Sequence, residues 1–208
     1  FLAVLIQYRG EKRKKDKIQR ISVYRMDKRD TPNRFDLTEF SVVDGQGYIG
    51  AKPVMDATRE VKNFDPLLYL SAKEVKRTER FVHYAVAAAK MAWQDCGLDL
   101  NRENAEEIGV MVGCGMGSLD IIEQEHQNLM ENGPDRITPF LVPRMIANMG
   151  AGYVSIALGL KGPNSCPVTA CATGSHAIGD AFRIIQHGDA MAMVAGAVGN
   201  GGVLMQPR

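Results

Sequence analysis

The chain has 208 residues, of which 45% are hydrophobic, and its 25 Lys and Arg against 24 Asp and Glu leave a formal net charge of +1. This composition excludes a disordered chain and allows a substantial buried core. A charge so close to zero argues against nucleic-acid binding, which needs a concentrated basic surface. The longest N-terminal apolar run, Phe1–Ile6, is far shorter than the ~20 residues of a transmembrane helix, so we expect no membrane contact.

The cysteines and histidines show no metal-binding pattern. The four cysteines lack the C-x-x-C spacing of a zinc site, and the four histidines form no H-x-x-x-H pair. We therefore expect neither a metal nor another cofactor. Cysteines this sparse are typical of a reducing compartment rather than of a disulfide scaffold. Since nothing around Phe1–Ile6 resembles a secretory signal, the sequence favours the cytoplasm or an organelle stroma.

The first 30 residues are unusually basic, with ten Lys or Arg against four Asp or Glu. Within them, the run Glu11–Arg20 mixes both signs of charge beside a chain end, which is typical of solvated surface, and we assign it no function. From Arg34 to Glu60, Asp, Gly and Thr surround single apolar residues. This composition predicts loops around short strands.

A clearer pattern begins at Ser71. The sequence Ser71-Ala-Lys-Glu74 matches a capping box, so we predict one long helix from there to a stop at Gly97. Apolar and alanine residues recur at helical spacing over residues 81–93. The next apolar run, Ile108–Cys114, has charge before it and glycine after it, which predicts a buried strand that leads into a tight turn.

The remaining elements alternate between helices and strands. In chain order we predict a helix over Ser118–Met130, an apolar helix over Phe140–Leu158, a turn at Lys161–Asn164, a strand over Cys166–Ala170, a helix over Cys171–His187 and a strand over Ala190–Gly196. Gly150 and Gly152 are expected to let the apolar helix approach another backbone closely. The alternation predicts a parallel sheet covered by helices on its faces, with right-handed crossovers.

Cys171 is the residue whose position indicates chemistry. The segment Val168-Thr-Ala-Cys171-Ala-Thr-Gly174 places it where a strand ends and a helix begins. The free amides and the dipole of a helix N-terminus favour the thiolate, and small neighbours leave room for a substrate to reach the sulfur. The Cys171 amide could also help to bind an oxyanion. On these local grounds alone, a buried structural cysteine is an equally good interpretation.

No histidine is placed in the sequence to assist Cys171. His176 follows five residues later, which on a helix rotates its side chain about 140° away, so we predict a packing or surface role for it. We interpret the other three cysteines as packing residues. The turn Gly113–Gly117 lacks the third glycine of a dinucleotide-binding fingerprint, so we expect no nucleotide there. Instead, we expect this turn to let Met116 project into a neighbouring cavity.

Six motifs occur in an order typical of one family. They are Asn63-Phe-Asp-Pro66, Gly113-Cys-Gly-Met-Gly117, Thr138-Pro-Phe140, Ile146-Ala-Asn-Met149, Lys161-Gly-Pro163 and Thr169-Ala-Cys-Ala-Thr-Gly174. In this combination the chain resembles the β-ketoacyl-[acyl-carrier-protein] synthases, and among them the KAS II type of fatty-acid elongation enzyme, most closely over residues 63–196. The resemblance implies an α/β, thiolase-like fold with a mixed, largely parallel sheet layered between helices. This chain would supply one half of a five-layered α-β-α-β-α core.

The resemblance also implies an activity and the residues that serve it. In the family, the cysteine that matches Cys171 takes an acyl chain from acyl carrier protein as a thioester. Malonyl carrier protein then loses CO2 and attacks the thioester, which gives a 3-oxoacyl chain two carbons longer. These acyltransferases of fatty acid biosynthesis act as homodimers. Met116 corresponds to a residue that lines the acyl pocket, and Phe140 with Leu141 corresponds to the segment that approaches the pocket of the partner subunit.

By the same resemblance, two surfaces meet other chains. The strand expected over residues 165–170 is similar to one that pairs across the dimer axis, so an isolated half would expose its edge. A basic patch that docks the acidic carrier protein corresponds to Lys73, Lys76, Arg77 and Arg136. Ordinary solvated helix and loop charges are the alternative interpretation of these four residues.

The chain departs from the family's pattern at both ends. Residues 1–33 are unlike the family's opening strand and turn, so we divide the chain into an atypical basic segment, 1–33, and the N-terminal half of a β-ketoacyl synthase domain, 34–208. The two catalytic histidines, a lysine and the oxyanion loop belong to the family's second half, so we expect this chain alone to be inactive in condensation. The alternative function is a non-catalytic half-domain or length-setting subunit that pairs with a condensing enzyme. Such relatives generally replace the nucleophile, whereas Cys171 is present.

Overall fold

The structure of the protein is a computed structural model, which describes residues 64–199 and, before them, the backbone of five strands. In this part of the chain the strands are Leu2–Gln7 (β1), Arg20–Arg25 (β2), Asn33–Asp36 (β3), Ser41–Val43 (β4), Gln46–Tyr48 (β5), Ile108–Cys114 (β6), Asn164–Ser165 (β7) and Ala192–Val198 (β8). The α-helices are Ala72–Arg77 (α1), Arg80–Cys96 (α2), Leu119–Asn132 (α3), Leu141–Met145 (α4), Met149–Leu158 (α5) and Thr173–His187 (α6). Most of the basic run at residues 11–20 lies outside the described residues. No described helix is both long enough and apolar enough to cross a membrane.

Six strands form one mixed sheet, in the order β3-β2-β1-β8-β6-β7. β6 runs parallel to both of its neighbours, with Ile108 opposite Ala192 and Val110 opposite Asn164. β1 lies antiparallel to β8 and to β2, and β2 lies antiparallel to β3. β4 and β5 form a separate antiparallel pair. The parallel pairing of β6 with β8 is confirmed, whereas β7 lies before the strand predicted over Cys166–Ala170. Short strands are present between residues 33 and 48, as predicted.

The alternation of side chains along β6 and β8 divides the core between the two faces of the sheet. On one face, Val110 and Val194 pack with buried residues of α2 and α5. On the other face, Met111 and Met193 pack against α6. α6 faces the sheet through buried residues four apart, Thr173, Ala177, Ala181 and Ile185. Because three of these side chains are small, the start of α6 lies close to the strands that end beside it.

The predicted helix from Ser71 to Gly97 is interrupted. Its start is confirmed, since the Ser71 amide donates to Glu74 Oε2 at 2.8 Å in a complete capping box. Its end is confirmed at Gly97, which is left-handed with φ 73°. In between, the chain leaves the helix at Thr78, where φ is −130° and the hydroxyl donates to the Glu74 carbonyl at 2.7 Å. A side-chain hydroxyl that bonds the backbone locally competes with the helical ladder.

The predicted helix over Phe140–Leu158 is also two helices, α4 and α5. The Met145 carbonyl, at the end of α4, accepts a hydrogen bond from the Ser118 amide at 3.2 Å, so the turn before α3 lies against the break. Gly117 in that turn has φ 74°, and a Cβ there would clash with the Met145 carbonyl. A contact with a distant part of the chain therefore accompanies the end of α4, which the local pattern did not predict.

The two glycines of α5 differ in their surroundings. An added Cβ at Gly150 would lie 3.5 Å from Val198 Cγ1, which is ordinary packing contact with β8. An added Cβ at Gly152 would meet no atom within 4 Å among the described residues. The close approach predicted for Gly152 is therefore wrong, and only Gly150 lies against the sheet.

The predicted strand over Cys166–Ala170 is wrong. β7 covers only Asn164 and Ser165, which pair with β6, and the chain then turns away from the sheet. Pro167 has no amide hydrogen with which to continue the strand ladder. Its carbonyl oxygen lies close to Gly113 of β6, 2.7 Å from where a Cβ at that glycine would be. The sheet therefore ends at a two-residue edge strand, and the residues that follow form the turn that carries Cys171.

Candidate active site

Cys171 lies immediately before α6. It occupies a single 3-10 turn, Ala170–Ala172, which continues directly into α6 at Thr173. The predicted helix start at Cys171 is therefore two residues early. The Cys171 side chain is exposed, whereas the other three cysteines are buried or half-buried. In this chain the Cys171 side chain is therefore accessible from solvent, and its role as the nucleophile stays a prediction.

The backbone beside Cys171 is held in an unusual conformation. Ala170 has φ 47°, and no other non-glycine residue in the described part of the chain has a positive φ. That region costs a residue with a Cβ about 1–2 kcal/mol. Thr173 stabilises it, since its hydroxyl donates to the Ala170 carbonyl at 2.7 Å and accepts from the Thr169 amide at 2.9 Å. One buried hydroxyl thus holds the backbone at Thr169 and Ala170, where the turn that presents the Cys171 sulfur begins.

Gly113, near the end of β6, lets the sheet approach this turn. A Cβ at position 113 would lie 2.7 Å from the Pro167 carbonyl oxygen and closer still to Thr173 Cγ2. Neither neighbour moves aside easily, because one is backbone and the other belongs to a side chain fixed by two hydrogen bonds. Glycine is therefore required at this close approach.

Cys166 has the environment of an unreactive thiol. Burial raises the pKa of the Cys166 thiol above its ordinary value of 9.0, a backbone hydrogen bond with Cys114 opposes that shift, and charge on Cys114 adds to it. The Cys166 sulfur also donates to the Ala147 carbonyl at 3.5 Å. Because the thiolate is the reactive form, a raised pKa makes Cys166 a poor nucleophile at neutral pH.

His176 bonds to residues other than Cys171. Its Nδ1 lies 3.2 Å from Thr169 Oγ1, and its Nε2 lies 3.0 Å from Asp180 Oδ2. Both side chains of the His176–Asp180 pair are largely solvent-exposed. Both ring nitrogens therefore have partners at the surface, Asp180 on α6 and Thr169 before the Cys171 turn, in agreement with the surface role predicted from the helical spacing.

Met116 lies on a turn beside the Cys171 turn. An added Cβ at Gly115 would come within 4.0 Å of the Ala170 Cα, which makes the two turns neighbours. The Met116 side chain is 54% exposed. The structure therefore brings Met116 next to the segment that carries Cys171, with its side chain open to solvent in this chain.

Phe140 and Leu141 lie at the start of α4 and are half-buried. The opposite end of α4 reaches the Met116 turn, through the hydrogen bond from the Ser118 amide to the Met145 carbonyl. A five-residue helix thus connects the two parts of the chain to which an acyl-binding role was assigned.

All four cations of the predicted docking patch are exposed. Three of them lie on α1, at spacings of three and four residues that place them on one side of the helix. Arg136 lies on a 3-10 turn that is tied to α3, since Asn128 Nδ2 donates to the Arg136 carbonyl at 2.7 Å. α1 contacts the start of α4, where the Arg77 guanidinium carbon lies 5.0 Å from the centroid of the Phe140 ring.

Comparison with known proteins decides the family. The sequence profile described as "Beta-ketoacyl synthase, N-terminal domain" matches residues 13–200. The chain belongs to the β-ketoacyl synthase family. The resemblance found in the six motifs is thereby confirmed.

Two curated β-ketoacyl synthases show how much of such a protein this chain represents. The 3-oxoacyl-[acyl-carrier-protein] synthase 2 of Synechocystis sp. is 48% identical over 162 residues, which cover 74% of this chain and 39% of the relative. The protein of the same name from Staphylococcus aureus is 49% identical over 137 residues, 66% of this chain and 34% of the relative. The chain therefore spans well under half the length of the curated relatives it matches.

A solved structure agrees on the fold of this β-ketoacyl synthase chain. The complex of a type II PKS acyl-carrier protein with its ketosynthase bound to the hexaketide superposes with a TM-score of 0.63 at 24% identity, over 68% of this chain and 41% of that chain. At this identity the similarity concerns the fold alone. Together with the family match, it confirms the predicted thiolase-like α/β class.

Sequence reasoning did not find two features of the site, the positive φ of Ala170 and the two hydrogen bonds of Thr173. The one indication in the sequence was a threonine two residues before Cys171 and another two residues after it. Hydroxyls at such spacings often bond the local backbone, and here Thr173 does so. Within the described residues, no group of three or more His, Cys, Asp or Glu side chains could hold a metal ion.

Proposed function

We propose that the complete protein is a 3-oxoacyl-[acyl-carrier-protein] synthase of fatty acid biosynthesis and that this chain supplies its nucleophile, Cys171. The observation that carries the proposal is the exposed thiol on a strained turn, fixed by Thr173, in a chain of the β-ketoacyl synthase family. The names of the relatives from Synechocystis and Staphylococcus support the reaction class. The division of the chain at residue 33 stays a prediction.

The first step is an acyl transfer. The Cys171 thiolate attacks the carbonyl carbon of an acyl thioester on acyl carrier protein, a new carbon–sulfur bond forms, and the carrier's own carbon–sulfur bond breaks. The carrier leaves with a free thiol. The amide of Cys171 is the candidate donor to the oxyanion that develops during the attack.

The second step forms a carbon–carbon bond. Malonyl carrier protein loses CO2, and the resulting carbanion attacks the acyl thioester on Cys171. The carbon–sulfur bond breaks, the thiolate is regenerated, and the 3-oxoacyl product stays on the carrier, two carbons longer. The groups that promote decarboxylation are expected outside this chain, so we infer that the 208 residues alone do not condense substrates.

The carrier protein is proposed to dock on the exposed cations of α1 and on Arg136. Carrier proteins that bind such a surface are acidic, and charges at the rim of an interface mainly accelerate encounter and set orientation. The contact between Arg77 and Phe140 supports a surface that extends from α1 to the start of α4, the helix that follows the Arg136 turn in the chain.

Met116 is proposed to line the acyl pocket, and Phe140 with Leu141 to approach the pocket of a partner subunit in a homodimer. The edge of the sheet supports a dimer. Among the described strands β7 pairs with β6 alone, and both residues of β7 are exposed. An exposed strand edge favours pairing with another chain.

The proposal is tested by intact-mass spectrometry of the complete protein after incubation with an acyl-carrier thioester. We expect the mass of one acyl group, mapped to the peptide that contains Cys171. Cys171→Ser should abolish both acylation and elongation, because an alcohol does not ionise readily at neutral pH. Cys166→Ser is the matched control, and it should keep acylation because Cys166 is half-buried and held as a thiol.

Two results would refute the proposal. Elongation by the Cys171→Ser protein at the wild-type rate would show that another residue is the nucleophile. A folded complete protein that takes up no acyl group would favour the alternative of a non-catalytic subunit that pairs with a condensing enzyme.

A further inference from the structure

Arg77 lies where the proposed docking surface meets the proposed acyl-binding segment. It is the last residue of α1, its side chain is exposed, and its guanidinium carbon lies 5.0 Å from the centroid of the Phe140 ring. Phe140 precedes α4 directly, and its amide donates to Thr138 Oγ1 at 3.3 Å. A guanidinium is planar, so it can present a face to an aromatic ring while its N–H groups, at its edge, bind a carboxylate. The ammonium of lysine lacks this planar geometry.

α4 is attached to its surroundings along its whole length. Near its end, Arg144 forms an ion pair with Glu79, with Nη2 2.5 Å from Oε1, and both side chains are largely buried. The Met145 carbonyl then accepts from the Ser118 amide, two residues after Met116. α4 therefore connects the Phe140 contact at its start with the turn that carries Met116 at its end.

We infer that Arg77 is a positioning residue that couples carrier docking to acyl-chain selection. The face of the Arg77 guanidinium holds Phe140 and, through α4, the Met116 turn. The N–H groups at the edge of the guanidinium remain available to an acidic group of the carrier. This inference rests on the proposed function. It goes further because it assigns to one docking cation an influence on which acyl chains are accepted. Lys73 and Lys76 do not share this influence, since they show no aromatic contact among the described residues.

The test measures elongation of several acyl-chain lengths by the complete protein. Each length is supplied in two forms, as a thioester of acyl carrier protein and as a thioester of pantetheine, a small thiol that does not use the docking surface. Arg77→Gln is compared with Lys76→Gln, which removes the same charge from the same helix. A cation–π contact at an exposed site corresponds to about two- to fivefold in an equilibrium constant.

Both variants should raise the KM for carrier-linked substrates. Only Arg77→Gln should change the ratio of kcat/KM between long and short pantetheine-linked chains, by about two- to fivefold. Arg77→Lys should restore the KM for the carrier, because the charge is back, without restoring the chain-length ratio. In a Phe140→Leu background, Arg77→Gln should not change the ratio further, because the contact is already lost.

The inference is overturned if Arg77→Gln keeps the wild-type chain-length ratio with pantetheine substrates, or if Lys76→Gln changes that ratio equally. In both cases the wild-type protein still elongates acyl chains, so the proposed function would stand. A wild-type protein that elongates no chain in either form would overturn the proposed function and this inference with it.

Discussion

Gly113 is the position of β6 at which an added methyl group would press on the Cys171 turn. Alanine there would place a Cβ 2.7 Å from the Pro167 carbonyl oxygen, whereas close carbon–oxygen contacts lie at about 3.3 Å or more. The Cys171 turn would therefore have to move by roughly 0.6 Å or more, and Thr173 Cγ2 obstructs the other direction. Overpacking of this kind costs about 1–3 kcal/mol. A displacement of ~1 Å at a reacting group lowers a rate by about 100-fold.

We expect Gly113→Ala to slow acylation of Cys171 by roughly 10- to 100-fold and to lower the free energy of unfolding by about 1–2 kcal/mol. The first is measured by intact mass over time and the second by denaturant unfolding of the complete protein. Gly152→Ala is the matched control, since no described atom lies within 4 Å of its added Cβ. This control should acylate normally and gain up to ~1 kcal/mol. A Gly113→Ala protein with wild-type acylation and stability would refute the argument that β6 fixes the turn.

Three further changes test the local physics. Thr173→Val should lower the free energy of unfolding by about 1–3 kcal/mol and slow acylation, because two hydrogen bonds are lost. Thr173→Ser should keep the wild-type stability and acylation rate. Equal behaviour of the two variants would contradict the role of the Thr173 hydroxyl. Burial lowers the pKa of His83 below its ordinary value of 6.5, and nearby Arg80 adds to the shift. The unfolded chain therefore binds the proton more readily than the folded chain, so the free energy of unfolding should fall as the pH drops below about 6.5 and through the lowered folded-state pKa. His83→Gln should flatten this pH dependence, measured by denaturant unfolding at several pH values. An unchanged slope would exclude His83 as its source. Ser118 Oγ is buried with no hydrogen-bond partner among the described residues, so Ser118→Ala should leave the free energy of unfolding unchanged or raise it by up to ~1 kcal/mol, whereas a clear loss would reveal a partner.

The sequence predicted the features that short-range rules determine. The capping box at Ser71 and Glu74, the glycine stop at Gly97 and the buried strand Ile108–Cys114 each depend on residues a few positions apart, and each is present. The location of Cys171 just before a helix was predicted for the same reason, whereas the strand predicted directly before it is absent. Its helix start was predicted two residues early, because the pattern does not distinguish a 3-10 turn from the first turn of an α-helix.

The features that the sequence did not predict depend on contacts between distant segments, and these contacts also assemble the site. The break before α2 places Glu79, its N-cap residue, where it pairs with Arg144 of α4. The end of α4 lies where the Met145 carbonyl receives the amide that follows the Met116 turn. In each case an element ends earlier than its local pattern indicates because a backbone or side-chain group there is bonded to another part of the chain.

The early end of β7 shows the same relation at the nucleophile itself. If the strand continued through Cys166–Ala170, its residues would remain in the sheet, and Ala170 would have the negative φ of a strand. Because the chain instead leaves the sheet after Ser165, Thr169 and Ala170 come within reach of the Thr173 hydroxyl, and the next residue, Cys171, is presented to solvent. Local strand propensity and the geometry of the site conflict at this point, and the site geometry prevails, as expected where function opposes local preference.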